Sequence, residues 1–286
     1  MGMTDSTNKV GHDGPATDAS GEEVLIDVGG RRLYIRCMGD GSPTVILEHG
    51  MATESDSWAE VQQAVAQFTR VCAFDRAGRG KSDPAPKPRT SEDMVADLHT
   101  LLANADVPGP YILVGNSLGG FNARMYAHRY PEEVVGLVLV DSMHPDQFDR
   151  IEKALPPETP QDPENFKAFR QSFTVDYKDP TKNPEGFDQL ASHEQGRAVT
   201  SLGNLPMIVL AASEFRMRIP EPRFGSYMQE MWYELQRDLA GLSSNSKFVA
   251  VEDSGHFIQI DQPQVVTEAI RELVEQVRGR QAQQAG

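Results

Sequence analysis

Ser117 is the residue around which chemistry could be built. It stands at the centre of Gly115-Asn116-Ser117-Leu118-Gly119, a Gly-x-Ser-x-Gly pattern. The apolar run 111–114 leads into it, and a helical pattern over 118–130 follows at once. A strand that turns so sharply into a helix holds its serine in a strained conformation, with Oγ exposed at the carboxyl edge of a sheet. The glycines stand where a Cβ would strike the neighbouring strand or helix. The backbone N–H of Leu118 falls at a helix N-terminus, whose partial positive charge favours an oxyanion. A serine so placed, with a histidine as base and a carboxylate to orient it, performs nucleophilic acyl transfer. Asn116 reads either as a side chain that helps hold this turn or as a buried turn residue.

Such a serine needs a buried sheet beneath it. From Val24 the chain is rhythmic. Residues 24–28 and 33–37 flank Gly29-Gly30 and predict a hairpin. Strands are predicted at 44–47, 71–74, 111–114, 134–140, 207–210 and 248–251. Helical patterns fill the intervals: 58–68, the face of Met94, Leu98, Leu101 and Leu102, 118–130, the segment closed by Gly241, and the segment opened by Pro263. Strands apolar throughout their length and separated by helices predict a parallel sheet covered on both faces, an α/β fold. The rhythm breaks over 145–204, which is polar, rich in proline and scattered with phenylalanine. The expected organisation is a disordered tail at 1–22, a core of 23–144 and 205–279, a cap insertion at 145–204, and a flexible tail at 280–286.

The 286 residues carry 27 Lys+Arg against 42 Asp+Glu, and 27 − 42 gives a net charge of −15. An acidic chain repels phosphate backbones and anionic membrane surfaces, so neither nucleic acid nor a membrane is an expected partner. The expected partner is a small-molecule substrate; the oligomeric state is unknown from sequence. Two cysteines, Cys37 and Cys72, are too few for a disulfide scaffold or a Cys-rich zinc site. The first 23 residues hold no apolar segment that reads as a secretory signal, and a cytoplasmic location is expected. Phosphate-loop, dinucleotide-loop, zinc-protease and calcium-loop patterns are all absent, so no metal and no cofactor is implied.

With the elbow and this order of elements, the chain from Val24 to about Gly279 resembles the α/β-hydrolase superfamily. Three further segments match it. Glu48-His49-Gly50-Met51 follows the third strand, where the family carries its His-Gly oxyanion loop. Asp75-Arg76-Ala77-Gly78-Arg79-Gly80-Lys81-Ser82 looks like the family's Asp-x-x-Gly-x-Gly-x-Ser turn after the fourth strand. Ser254-Gly255-His256-Phe257 follows the last strand, where the family places its catalytic histidine. The resemblance implies an α/β-hydrolase fold with a mostly parallel sheet and a cap inserted after the sixth strand. It also implies a catalytic triad and an oxyanion hole built from the N–H groups of Met51 and Leu118.

Elimination also reaches His256. Of the seven histidines, His12 lies in the tail and His49 in the oxyanion loop. His99 and His128 fall within helices and His193 in the insertion. His144 comes too soon after the sixth strand to close the order Ser…acid…His. The acid has two candidates. After the seventh strand the family's Gly-x-x-Asp pattern is missing; its aspartate aligns with Phe215, and Glu214 is one residue off, pointing the other way along an extended chain. After the sixth strand, Asp141 stands where some branches, haloalkane dehalogenases among them, keep their acid. Asp141 is favoured, with Glu214 as the alternative.

A serine nucleophile speaks against dehalogenase and epoxide-hydrolase chemistry, whose family members use an aspartate there. The expected activity is that of a serine esterase or lactonase, acting on a hydrophobic small molecule through an acyl-enzyme on Ser117. The expected substrate-binding residues are Gly50, Trp58, Met143, Phe148, Phe215, Met217, Tyr227 and Trp232, with Phe224 and Met228 as further candidates; aromatic and methionine side chains make an apolar, adaptable pocket. The alternatives are a cofactor-free haloperoxidase or perhydrolase, a carbon–carbon bond hydrolase, and a non-catalytic small-ligand receptor on the same fold.

Overall fold

The structure, a computed structural model, describes residues 21–214 and 222–285. Its strands are β1 (Glu22–Asp27), β2 (Arg32–Met38), β3 (Thr44–Glu48), β4 (Val71–Phe74), β5 (Tyr111–Asn116), β6 (Val134–Val140), β7 (Met207–Ala212) and β8 (Ser246–Val251). They form one sheet in the order β1-β2-β4-β3-β5-β6-β7-β8. The hairpin β1–β2 is antiparallel, as is the β2–β4 pair, and every other pairing is parallel. Parallel strands leave no face for water, and β3, β5 and β7 are buried along their whole length.

The helices are α1 (Ala59–Val65), α2 (Ser91–Asn104), α3 (Leu118–Arg129), α4 (Gln147–Ala154), α5 (Glu164–Thr174), α6 (Gln189–Arg197), α7 (Pro222–Ala240), α8 (Ile258–Asp261) and α9 (Pro263–Ala285). Two apolar clusters sandwich the sheet. One gathers Leu98, Leu101, Phe121 and Tyr126 from α2 and α3. The other gathers Val61 and Val65 from α1 and Val266, Ile270, Leu273 and Val274 from α9. α2 starts with a capping box in which Thr90 and Asp93 satisfy each other's backbone N–H groups. α9 continues to Ala285, past Gly279, because Arg280–Ala285 are strong or tolerant helix formers and nothing after Gly279 stops the turn.

Between β6 and β7 the chain adds no strand. α4, α5 and α6 leave the sheet, and Ile151, Phe166 and Phe169 pack against Phe224, Met228, Met231, Trp232 and Leu235 of α7 in a third cluster. This excursion is tied back to the core where Arg89 N–H donates to Gly186 O and Asp188 N–H donates to Arg89 O. Cys37 and Cys72 face each other across β2 and β4 and are joined as a disulfide, a single staple inside the sheet. Among the described residues, no helix is long and apolar enough to cross a membrane.

Candidate functional site

Ser117 occupies a left-handed conformation, φ 53° and ψ −116°, between β5 and α3. The turn is held on both sides: Ser117 N–H donates to Val140 O, and its carbonyl accepts from the N–H groups of Phe121 and Met143. A Cβ on Gly119 would be driven into the carbonyl oxygen of Glu48, and one on Gly115 into the backbone of Gly119. That crowding is the local reason for the glycines. Five described non-glycine residues have positive φ, and Ala52, Ser117, Asp141 and Asp253 are four of them. All four lie in loops that follow the carboxyl ends of strands, so backbone strain collects at one sheet edge.

On that edge Asp141, directly after β6, accepts a hydrogen bond from His256 Nδ1 at 2.7 Å. Its other oxygen, Oδ1, accepts from the Ala212 N–H at 2.9 Å and from the indole Nε1–H of Trp232 at 2.6 Å. Asp141 is only 1% exposed, so this carboxylate is held from three directions in a dry setting. Asn116 Nδ2 donates to the carbonyls of Val140 and His256, at 3.1 and 3.0 Å. It therefore ties the serine turn to the histidine loop, more than the turn alone. Glu214, the alternative acid, lines the same cavity, and its N–H donates to Ser254 O at the foot of the histidine loop.

The loop after β3 is fixed by a buried ion cluster. Arg76 is 2% exposed. Its guanidinium donates to the carbonyl oxygens of His49 and Gly50 and to Glu48 Oε1, and pairs with both oxygens of Glu185, at 2.8 and 2.9 Å. Glu185 comes from the excursion between β6 and β7, and its Oε1 also accepts the N–H of Ala52 at 3.0 Å. Burial pushes the Glu185 carboxyl up, but the charge and hydrogen bonds of Arg76 outweigh it and hold it at about 2. Burial pushes Glu48 up to about 7, against the pull of Arg76. Burial, and then Arg76, push His49 down to about 3, so its ring is neutral. It accepts the Arg76 N–H on Nε2 and sits against Gly50 O through Nδ1. A neutral imidazole used up in this way is a support for the loop.

A cavity of ≈ 540 Å³ opens over the sheet edge. Gly50, Met51, Ser117, Asp141, Met143, Phe148, Trp232 and His256 line it. A larger cavity of ≈ 690 Å³ lies near the start of β6 and the approach to β7, and holds none of Ser117, Asp141 or His256. Leu118 lies under the elbow as the first residue of α3, where backbone N–H groups lack helical partners. Several substrate candidates lie elsewhere. Trp58 is fully buried in the cluster between the sheet, α1 and α9, because its side chain faces the core. Tyr227 is 49% exposed on the outer side of α7, one residue off the inward face that carries Phe224, Met228 and Trp232. Phe224 and Met228 pack against α5, outside the cavity wall. Phe215 and Met217 lie outside the described residues. Ile151, Phe173, Gln147, Gln189, Phe257 and Asp261 line the cavity without having been expected there. The amphipathic spacing of Ile151 with Phe148 was the signal for the first of them.

Residues 43–178 match the family model described as alpha/beta hydrolase fold. An uncharacterized protein of Bacillus subtilis, YqjL, is 26% identical over 235 residues, which are 82% of this chain and 85% of that one. Some other curated relatives are far longer: the chain spans 21% and 29% of the length of two that it matches over 48% and 44% of its own. A thermophilic esterase from Thermogutta terrifontis superposes with a TM-score of 0.62 at 25% identity, over 90% of this chain and 99% of that one. A loop variant of a haloalkane dehalogenase from Bradyrhizobium elkanii superposes with a TM-score of 0.68 at 16% identity, over 92% and 99%.

Proposed function

The chain belongs to the α/β-hydrolase superfamily, and from that premise we propose that it is a serine hydrolase cleaving a carboxylic ester or lactone of a hydrophobic small molecule. The observation that carries the reading is a strained serine sharing one cavity with a histidine whose Nδ1 is held by a buried aspartate. An aspartate in place of Ser117 would speak for alkyl-enzyme chemistry; a serine speaks for acyl transfer.

In this reading Ser117 Oγ attacks the substrate's carbonyl carbon as His256 Nε2 takes its proton. Asp141 fixes the tautomer through Nδ1–H and stabilises the imidazolium. The carbonyl oxygen becomes an oxyanion, which accepts hydrogen bonds from the N–H groups of Met51 and Leu118. Each such donor contributes roughly 3 kcal/mol in the transition state. The tetrahedral intermediate collapses, the C–O bond to the alcohol breaks, and the leaving oxygen takes the proton from His256. Water then attacks the acyl-enzyme, giving its proton to His256, and the acid and free Ser117 result. Trp232 and Ala212 hold Asp141, and Asn116 holds the His256 loop. Glu185 and Arg76 hold the Met51–Ala52 peptide. The helical excursion serves as a cap: Phe148, Ile151 and Phe173 roof an apolar cavity whose size suits a small molecule.

Fluorophosphonate labelling tests this against the ligand-receptor reading. Single labelling at Ser117, lost in Ser117→Ala, supports the hydrolase. A folded protein that takes no label supports the receptor.

A further inference from the structure

Among the described residues, the cap side of the cavity is apolar with two exceptions. Gln147 opens α4 and Gln189 opens α6, so both carboxamides stand at the first residue of a cap helix. Both line the cavity, and they are 8% and 6% exposed. Gln147 Oε1 accepts the His144 N–H at 3.1 Å, which fixes that carboxamide with its acceptor used and its N–H donors unspent among the described residues. Gln189 Oε1 is buried and has no hydrogen-bond partner among the described residues. A buried, unpaired polar group costs about 1–3 kcal/mol, and a site that keeps one gains when a ligand satisfies it.

We propose that Gln147 and Gln189 recognise an uncharged hydrogen-bonding group, an amide, carried by the substrate away from its scissile carbonyl. This deepens the esterase reading and rests on it. An amide offers an N–H to Gln189 Oε1 and a C=O to the Gln147 N–H donors, which matches what the two side chains leave unspent. The described lining disfavours an anionic group: Asp141, Glu214 and Asp261 line the same cavity, and among the described residues no lysine or arginine does. A plain alkyl chain fits the walls but leaves the carboxamides unpaired. A site built around a hydrogen bond discriminates against the analogue that lacks it far more strongly than an apolar pocket sorts chain lengths.

The test uses two matched series of p-nitrophenyl esters on the full chain. One has plain alkanoyl groups. The other has N-acetylamino acyl groups of equal length, with one, two or three methylenes between the two carbonyls. The best amide ester should exceed its alkanoyl match in kcat/KM by about tenfold or more, mainly through KM. In Gln189→Leu the order should reverse, with the amide ester slowed and the alkanoyl ester improved; Gln147→Leu should shrink the preference in the same direction. If alkanoyl esters are cleaved, yet amide esters are no better and both variants change the two series alike, the proposal is overturned while the esterase reading stands. If neither series is cleaved and Ser117 takes no fluorophosphonate, the esterase reading fails and this proposal with it.

Discussion

Replacing Glu185 by Gln or Leu should separate the support of the oxyanion loop from the chemistry itself. Glu185 touches neither Ser117 nor His256 among the described residues; it meets Arg76 at 2.8 and 2.9 Å and the Ala52 N–H at 3.0 Å. Removing one partner of a buried pair costs about 3–5 kcal/mol. Here the low end applies, because Glu48 lies 3.3 Å from Arg76 and can ionise to take over part of the charge. About 3 kcal/mol corresponds to a fall in Tm of roughly 6–12 °C for a domain of this size. The kinetic effect follows from the loop. Ala52 is the residue after Met51, the proposed oxyanion donor, and a lost donor is worth roughly 3 kcal/mol. A displaced donor loses part of that, so kcat should fall about 10- to 100-fold with KM little changed. Glu185→Gln can still accept the Ala52 N–H and should fall less than Glu185→Leu. The assay is kcat and KM on a p-nitrophenyl ester, with a thermal melt beside it. A folded Glu185→Leu protein with wild-type kcat would refute the reasoning.

Trp232→Phe keeps the cavity wall but removes the donor to Asp141 Oδ1; a hydrogen bond to a charged group is worth about 1.5–3 kcal/mol, so kcat should drop roughly tenfold or more in steady-state assays. The stability of the ion cluster should depend on pH in two opposed limbs. Glu48, raised from 4.5 to about 7, favours the fold fully below pH about 4.5, and that contribution is lost as pH rises through 7. Glu185, lowered to about 2, favours the fold above pH about 4.5 and loses its contribution as pH falls toward 2. Glu48→Gln should flatten the upper limb and leave the acid limb in place in melts taken across pH; an unchanged upper limb would contradict this. Non-reducing peptide mapping should recover Cys37 linked to Cys72 in protein taken from an oxidising compartment. Two free thiols in the protein from its native source would fit the cytoplasmic location expected from sequence.

What the sequence discloses here is what is local. The elbow shows because strand, turn and helix follow one another within twenty residues, each with its own period. The apolar parallel strands show because both their faces are buried. His256 shows as a candidate because the expected order of serine, acid and histidine along the chain leaves it one place. The partners across long separations do not show. Trp232 and Asp141 stand 91 residues apart and Glu185 and Arg76 stand 109 apart. Nothing in a polar, proline-rich stretch marks Glu185 as the one acid that turns inward, and an isolated Arg76 reads as surface charge until burial is known. The Cys37–Cys72 staple depends on the register of β2 against β4, which the hairpin pattern alone does not define. Trp58 reads from sequence as one of the aromatic side chains of an apolar pocket, but the helix it opens turns that ring into the core.

The most direct measurement of the central claim is p-nitrophenyl ester hydrolysis, over short to medium acyl chains, by wild type, Ser117→Ala, Asp141→Asn and Glu214→Gln. The account predicts an active wild type, no turnover in Ser117→Ala, a loss on the order of 10⁴ in kcat for Asp141→Asn, and a far smaller change for Glu214→Gln. Equal activity of wild type and Ser117→Ala, or losses exchanged between Asp141→Asn and Glu214→Gln, would contradict it.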